Sequence, residues 1–386
     1  TGGQGVSAYA TRSRFVVSNY GMGGSLQSGM AESRWGGPAA ALLKWETTNQ
    51  FDIGLDIAFL NNRVNLTVDA YYKKTKDLLL DKLIPMSSGF SRIQANYGNV
   101  TNKGLEISGH FIPVKARNFL WSIDANISFN RNKVGGLDAD QYSDVAWGIE
   151  NMFLVRNGEP IGTLYGYVED GFYDNEAEVR ADPLYRNETD SKVKSMVGEV
   201  KYKNLDDDPV IDNRDRQIIG NTNPDYQYGI TNTLEWKNWT FSFFLQGTQG
   251  NDVLNVNLKK FDMASVDNMP YFIYNNRWTA ENRANAKWPR ANRTSTRSMR
   301  ASDRYIEDGS YLRCKNVSLS YRFRHPMKFV ESINLVASVS NLFTISGYSW
   351  MDPDVNSFGS DPKRRGVDMA SYPSARTFNF GVQIGF

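Results

Sequence analysis

One cysteine, Cys314, and two histidines, His110 and His325, are all that 386 residues carry of the side chains most used in nucleophilic and acid–base chemistry. A lone cysteine excludes an internal disulfide and a thiolate metal cluster. It reads as a small, half-buried side chain. HExxH, GxSxG and P-loop patterns are absent, so the familiar hydrolase and nucleotidase chemistries have no material here. Long hydrophobic runs are missing too, and no stretch approaches the ~20 apolar residues of a membrane helix. Excess charge is lacking: 44 basic against 42 acidic residues leave a net +2, and no nucleic-acid partner is expected. The chain begins at Thr1 without methionine or a leader pattern, and the expectation is that the start of the protein lies upstream.

Aromatic residues are plentiful, at 13%, yet mean hydropathy is negative. Apolar side chains are therefore dispersed, and where a period is clear it is two. Phe51, Ile53, Leu55, Ile57 and Phe59 alternate with Asp52, Gly54, Asp56 and Ala58. Val64, Leu66, Val68, Ala70 and Tyr72 alternate with Asn65, Thr67, Asp69 and Tyr71. WSIDANISF, NWTFSFFLQ, SINLVASVS and the closing TFNFGVQIGF repeat the pattern.

A soluble sandwich alternates in the same way, with its polar face in water. Three features favour a transmembrane barrel. Many strands reach about ten residues, the length a tilted membrane strand requires. Short turns (Asn61-Asn62, 115–118, Lys237-Asn238 and 324–331) alternate with long polar stretches at 79–99, 174–224, 250–303 and 345–374. Outer-membrane barrels have short periplasmic turns and long outer loops. Finally, Phe59, Phe111, Trp121, Trp236, Trp239, Phe323 and Phe386 lie on the apolar parity near a short turn or the C-terminus. In a bilayer that is an interfacial girdle.

Strands must alternate up and down. Two strands, roughly 149–156 and 161–172 around an Asn157–Pro160 turn, keep that parity between 119–131 and 225–236. With a weaker first strand near 7–18, the reading is twelve antiparallel strands in an all-β fold. The inward parity is polar: Asp52, Asp56, Asn65, Thr67, Asp69, Glu106, His110, Asp124, Asn126, Gln227, Glu235, Gln246, Asn334 and Gln383. That suits a hydrated or plugged lumen, since a dry interior would penalise each unpaired group by a few kcal/mol, roughly. Glycosidase-like pairing of these carboxylates is the weakest reading, because they are spread over many strands. No catalytic residue is assigned and the protein is not expected to be an enzyme.

Along LKWETTNQFDIGLDIAFLNNRVNLTVDAYYKKTKDLLL, NYGNVTNKGLEISG, NGEPIGTLYGYVEDGFY, SDRYIEDGSYLRCKNVSLSYRF and YPSARTFNFGVQIGF the sequence resembles the SusC-like (RagA/SusC) family of TonB-dependent outer-membrane transporters of Bacteroidetes. The likeness covers most of 44–386, and residues 1–43 match less distinctly. The resemblance implies a 22-stranded barrel holding an N-terminal plug, of which this chain is the C-terminal portion, with plug and TonB box outside it. It implies import of oligosaccharides or peptides, driven by TonB, with a SusD-like lipoprotein as lid. It also implies contact with outer-membrane lipid and with the remaining barrel strands. On this reading the strand at 377–386 pairs with a first strand that this chain does not contain, because an open edge in lipid is not tolerated. The alternatives are a passive porin and an extracellular β-rich binding or adhesion module.

In the loop 174–224, Asn204, Asp206, Asp208, Val210, Asp212 and Asp215 fall at positions 1, 3, 5, 7, 9 and 12 of an EF-hand-like spacing. Five side-chain oxygens and one carbonyl in that array suit a hard cation, and Ca²⁺ is the candidate cofactor, none being required. Asn204 in place of the first Asp of the family's pattern, and Pro209 where a sharp turn favours glycine, depart from it. Trp278, Trp288, Tyr305, Tyr348 and Trp350 in the outer loops are candidates for substrate or lid contact, since flat aromatic faces suit sugars.

Overall fold

The computed structural model describes residues 15–22, 25–32, 40, 42–88, 90, 92–145, 149–206, 208–261, 268–292 and 300–386. Its principal element is a nine-stranded antiparallel sheet. The strands are β1 (Thr47–Phe59), β2 (Val64–Lys76), β3 (Asn99–Ala116), β4 (Phe119–Gly135), β5 (Tyr226–Trp236), β6 (Trp239–Gln249), β7 (Tyr311–Met327), β8 (Val330–Ser346) and β9 (Thr377–Gly385). Each pairs with its neighbours in this series, so the sheet is a meander from β1 to β9.

Tight turns join the strands at one end. Leu60, Asn61 and Asn62 carry φ of 56°, 54° and 61° between β1 and β2, a region asparagine enters more readily than most residues. Lys237-Asn238 links β5 to β6, with Trp236 facing Trp239. Arg117-Asn118 and Lys328-Phe329 do the same for β3–β4 and β7–β8. The other connections, 77–98, 136–225, 250–310 and 347–376, are long and lie at the opposite end. Up–down alternation holds throughout, and β9 runs toward the tight-turn end.

Two expected membrane strands lie elsewhere. Ile149–Val155 and Thr163–Gly166 do pair across the 157–160 turn, but in a separate four-stranded sheet with Gln141–Val145 and Gln217–Asn221. Burial explains the difference. Met152, Phe153 and Leu154 are 0% exposed and Val155 3%, so consecutive side chains are covered and neither face is left for a lumen. Because β4 pairs directly with β5, alternation needs no strand between them. The continuous sheet thus holds nine strands among the described residues, not twelve. Ahead of it, Phe15–Met22 pairs with Ser25–Glu32 as a separate hairpin; the start of the strand expected near 7–18 lies outside the described residues.

The register fixes two faces. Ser122, Thr233, Ser242, Ser318, Ser338 and Asn379 stand side by side across six strands. One residue along, Ile123, Asn232, Phe243, Val317, Val339 and Phe378 form a row on the other face. Asn232 is the polar exception there, and its carbonyl accepts from the Trp121 indole at 3.2 Å. No described protein layer covers the apolar face: Phe380, Val382 and Leu335 are exposed. A face of this size is unstable in water and suits lipid. Trp239, Tyr321 and Phe323 meet edge-to-face in series at the turn end, with successive centroids 4.6 Å apart. Among the described residues no helix is long and apolar enough to cross a membrane.

The hydrophobic core sits in the outer loops. Ile149, Phe153, Leu164, Leu254, Ile273 and Tyr305 are fully buried in one cluster. A second, around Tyr173, Val179, Val193 and Met196, is built on two short helices capped by Asn175 and Thr189. A third, Val100, Val134, Leu137 and Val155, ties loop to sheet. β3 has 18 residues and β4 has 17, well beyond the ~10 needed to cross the bilayer. Their far ends therefore project past the membrane and supply that third cluster.

Candidate functional site: the inward wall and the chamber under the loops

All fourteen polar residues expected to face inward lie on one face of the sheet. Several satisfy one another. The Thr67 hydroxyl donates to Asp56 at 2.6 Å, and His110 Nδ1 lies 2.7 Å from Asp124. The Tyr71 hydroxyl donates to Asn130 at 3.0 Å. Its ring crosses Gly104 so closely that a Cβ there would lie 2.2 Å from it. Glycine at 104 is what admits the ring.

Where this wall meets the loops there is a polar chamber of about 260 Å³. Ser128, Gln227, Thr248 and Tyr311 line it from the strands, and Asp354 and Arg365 from the loop 347–376. Arg365 is exposed and forms no ion pair among the described residues. Neither Asp354 nor Arg365 carries a sequence signal, because only the folded loop brings them to the mouth.

Arg313 holds that loop in place. Its side chain is 1% exposed, although it lies on the inward parity of β7. Its guanidinium donates to Thr344 at 3.0 Å, to Ser374 at 3.2 Å and to Asp352. Asp352 also accepts from the backbone N–H of Ser374 at 3.0 Å and of Asp354 at 2.9 Å. Burial pushes the Asp352 carboxyl up, but these donors hold it below the usual carboxylate range. A second buried pair, Arg304 with Glu169, fastens 169 to 304, Arg304 Nε donating at 2.7 Å.

Four of the five candidate contact aromatics have no free face. Trp278, Trp288 and Tyr348 are 8% exposed and Tyr305 0%. The Trp278 indole donates to Asp174 at 3.0 Å. The Tyr348 hydroxyl donates to Asp368 at 2.7 Å, and burial together with that carboxylate raises its pKa. Trp288 lies under the Arg304 guanidinium, 5.4 Å from its centroid. These rings pack loop on loop. Trp350 remains half-buried against Phe261. The exposed rings are others: Tyr271 at 78%, Tyr274 at 51% and Tyr372 at 91%. Sequence alone did not separate them from the buried set, since all sit in polar loops.

The acidic loop does converge, but around a guanidinium. Arg214 pairs with Asp206 at 3.2 Å, with Asp212 at 3.0 Å and with Asp208. Asp215 is buried and accepts from the N–H of Leu205 at 2.8 Å and of Asp212 at 2.7 Å. Asn204 donates to the Asp208 carbonyl at 2.6 Å, and Val210 donates its amide to Asp208 at 2.8 Å. Hydrogen bonds from Arg214 hold the Asp212 carboxyl below its ordinary value. Arg214 thus brings a positive charge to the spacing that suggested Ca²⁺, while the Asn204 side-chain oxygen is buried without a hydrogen-bond partner among the described residues. Among the described residues no group of three or more His, Cys, Asp or Glu side chains is placed so that it could hold a metal ion. Calorimetry with CaCl₂ is expected to give no binding heat at this loop in the wild type and measurable binding in Arg214→Ala. Equal wild-type binding would refute the guanidinium assignment.

A meander with a hydrated inner face, an apolar outer face, aromatic rings at the turn end and packed outer loops is the wall of an outer-membrane β-barrel. The chain matches the family model "TonB dependent receptor-like, beta-barrel" over residues 7–342, and it belongs to that family. It is an outer-membrane protein. It is 33% identical over 396 residues to TonB-dependent receptor P26 of Formosa agariphila, covering 100% of this chain and 39% of that protein. It is 29% identical over 353 residues to the TonB-dependent receptor SusC of Bacteroides thetaiotaomicron, covering 89% and 32%. Among solved structures it superposes on the RagAB peptide transporter with a TM-score of 0.75 at 20% identity, covering 100% of this chain and 40% of the other. The chain therefore spans about two fifths or less of the length of these relatives.

Proposed function

We propose that this chain is the C-terminal part of the barrel of a TonB-energised importer. The importer takes oligosaccharides or peptides across the outer membrane, with a SusD-like lipoprotein over its mouth. The observation that carries the reading is the polar chamber between inward wall and loop core. Its lining offers hydroxyl and amide groups, the Asp354 carboxylate and the exposed Arg365 guanidinium as hydrogen-bonding partners for a polar solute. Loops with a packed core favour a gated path over a passive porin. Lid contact then falls on the exposed Tyr271, Tyr274 and Tyr372, not on the four buried rings.

The test is uptake by cells lacking the full-length gene and complemented with it, using labelled oligosaccharides and oligopeptides. Uptake should require the gene and collapse with a protonophore. Uptake that survives the protonophore would assign a passive porin. In the complemented strain Arg365→Ala is expected to weaken binding of the imported solute about tenfold, the value of a charge-assisted hydrogen bond.

A further inference from the structure

The outward faces of β2, β3 and β4 change character toward the loop end. Through the middle they carry Val68, Ala70, Leu105, Ile107 and Ile127. Tyr72 and Phe129 follow, with Tyr226 of the neighbouring β5 beside Phe129 at 5.9 Å between ring centroids. Aromatic rings gathered at one level mark where hydrocarbon gives way to headgroups. Level with Tyr72 stand Lys103 on β3 and Arg131 on β4, and beyond it Lys74 and Lys76 on β2 and Lys133 on β4.

The register makes these cations neighbours on the lipid side. Tyr72 faces Lys103 and Lys103 faces Arg131, while Lys74 faces Thr101 and Thr101 faces Lys133. All five share the parity of Leu105 and Ile127, not that of the lumen. Lys103 lies 5.7 Å over the Tyr72 ring. Lys103, Arg131 and Lys133 line a groove of about 530 Å³ together with Tyr72, Asn99 and Thr101.

Two observations separate this strip from an ordinary solvated rim. The first is its sign. Arg131 pairs with Asp225 at 2.6 Å, but Lys74, Lys76, Lys103 and Lys133 have no ion pair among the described residues. The second is its position. The matching outward residues at the loop ends of β6, β7 and β8 are Gln249, Leu312 and Ile345, all uncharged. At those three strand ends the outward position is uncharged, whereas β2, β3 and β4 together carry five cations on theirs.

We propose that this strip binds the phosphate groups of an outer-leaflet glycolipid. A phosphate monoester carries roughly −1.5 to −2 charge at neutral pH and accepts charge-assisted hydrogen bonds from ammonium groups. Its depth matches, since Lys103 and Arg131 stand level with Tyr72 and one step beyond Phe129, with Lys74 and Lys133 a step further out. A lipid also adds what a free anion lacks: acyl chains that lie on Val68, Ala70, Leu105 and Ile107 directly below. Each lysine near a charged membrane surface contributes about a fivefold gain in affinity.

The test uses the full-length protein in neutral detergent, with diphosphoryl lipid A and its dephosphorylated form as probes, and binding read by native mass spectrometry. Diphosphoryl lipid A is expected to bind at least about 20-fold tighter. The triple variant Lys74→Gln, Lys103→Gln, Lys133→Gln should lose about 100-fold, at about fivefold per charge. Heat-modifiable electrophoretic mobility checks that this variant is folded. Lys115→Gln with Arg117→Gln, at the opposite end of the sheet, should bind as wild type. Equal binding of the two lipids, or wild-type affinity in a folded triple variant, would overturn the proposal. So would inorganic phosphate competing at concentrations matched to the lipid, which would assign the strip to a soluble anion.

Discussion

Replacing Arg313 with alanine is expected to free the loop 347–376 from the barrel rim, at a cost of about 3–5 kcal/mol. The arginine is buried, and its guanidinium joins Thr344 on β8 to Asp352 and Ser374 in the loop. Removing it leaves Asp352, itself 6% exposed, without its counter-charge, and an unpaired buried carboxylate is the costly half of a broken ion pair. Lysine keeps the charge but not the fork, so Arg313→Lys should recover only part of the loss. Hydrogen exchange on the full-length protein is the measurement. Amides of 347–376 should lose protection in Arg313→Ala while those of β8 keep theirs, and unchanged protection in the loop would sink the anchoring role. Asp352 adds a pH signature. Its folded pKa lies below its unfolded value, so its contribution is complete at neutral pH. It is lost only as pH falls below about 4 toward the folded value. Wild-type loop protection should therefore persist from neutral pH to about 5 and weaken in stronger acid.

The wall of the barrel was legible in the sequence because lipid and water impose opposite demands on alternate residues. Asp52, Asn126 and Gln383 on one side, and Ile53, Ile127 and Val382 on the other, are sorted by a rule that needs no knowledge of the partner strand. The loops obey no such rule. Met152–Val155 read as a membrane strand because a short apolar run does not reveal what covers it. Trp278, Trp288, Tyr305 and Tyr348 read as ligand-facing because aromatic residues in polar loops look alike whether they are packed or free. The acidic spacing 204–215 does not reveal that Arg214, within the same stretch, pairs with three of its carboxylates. Long-range pairs such as Arg313–Asp352 and Arg304–Glu169 join residues 39 and 135 apart in the chain. They leave no local periodicity to find.

The assignment of faces itself carries the second large effect, and adjacent residues test it. Val317 stands between Phe243 and Val339, and Ser318 between Ser242 and Ser338. Both lie near the middle of β7, between Phe323 at the turn end and Tyr311 at the loop end. Arginine on the lipid face at that depth costs about 2–4 kcal/mol, whereas a lumen position pays no such penalty because the guanidinium stays in water. Val317→Arg in the full-length protein should therefore lower the thermal midpoint of the β-sheet signal in circular dichroism and reduce the heat-modifiable, folded fraction in the outer membrane. Ser318→Arg should leave both nearly unchanged, although its longer side chain will narrow the lumen and slow uptake. The two variants add the same charge one residue apart, so composition, propensity and net charge cancel in the comparison. Only the direction of the side chain differs. If Ser318→Arg were the damaging change, the hydrated and lipid faces would have to be exchanged, and the chamber and the lysine strip would exchange sides with them.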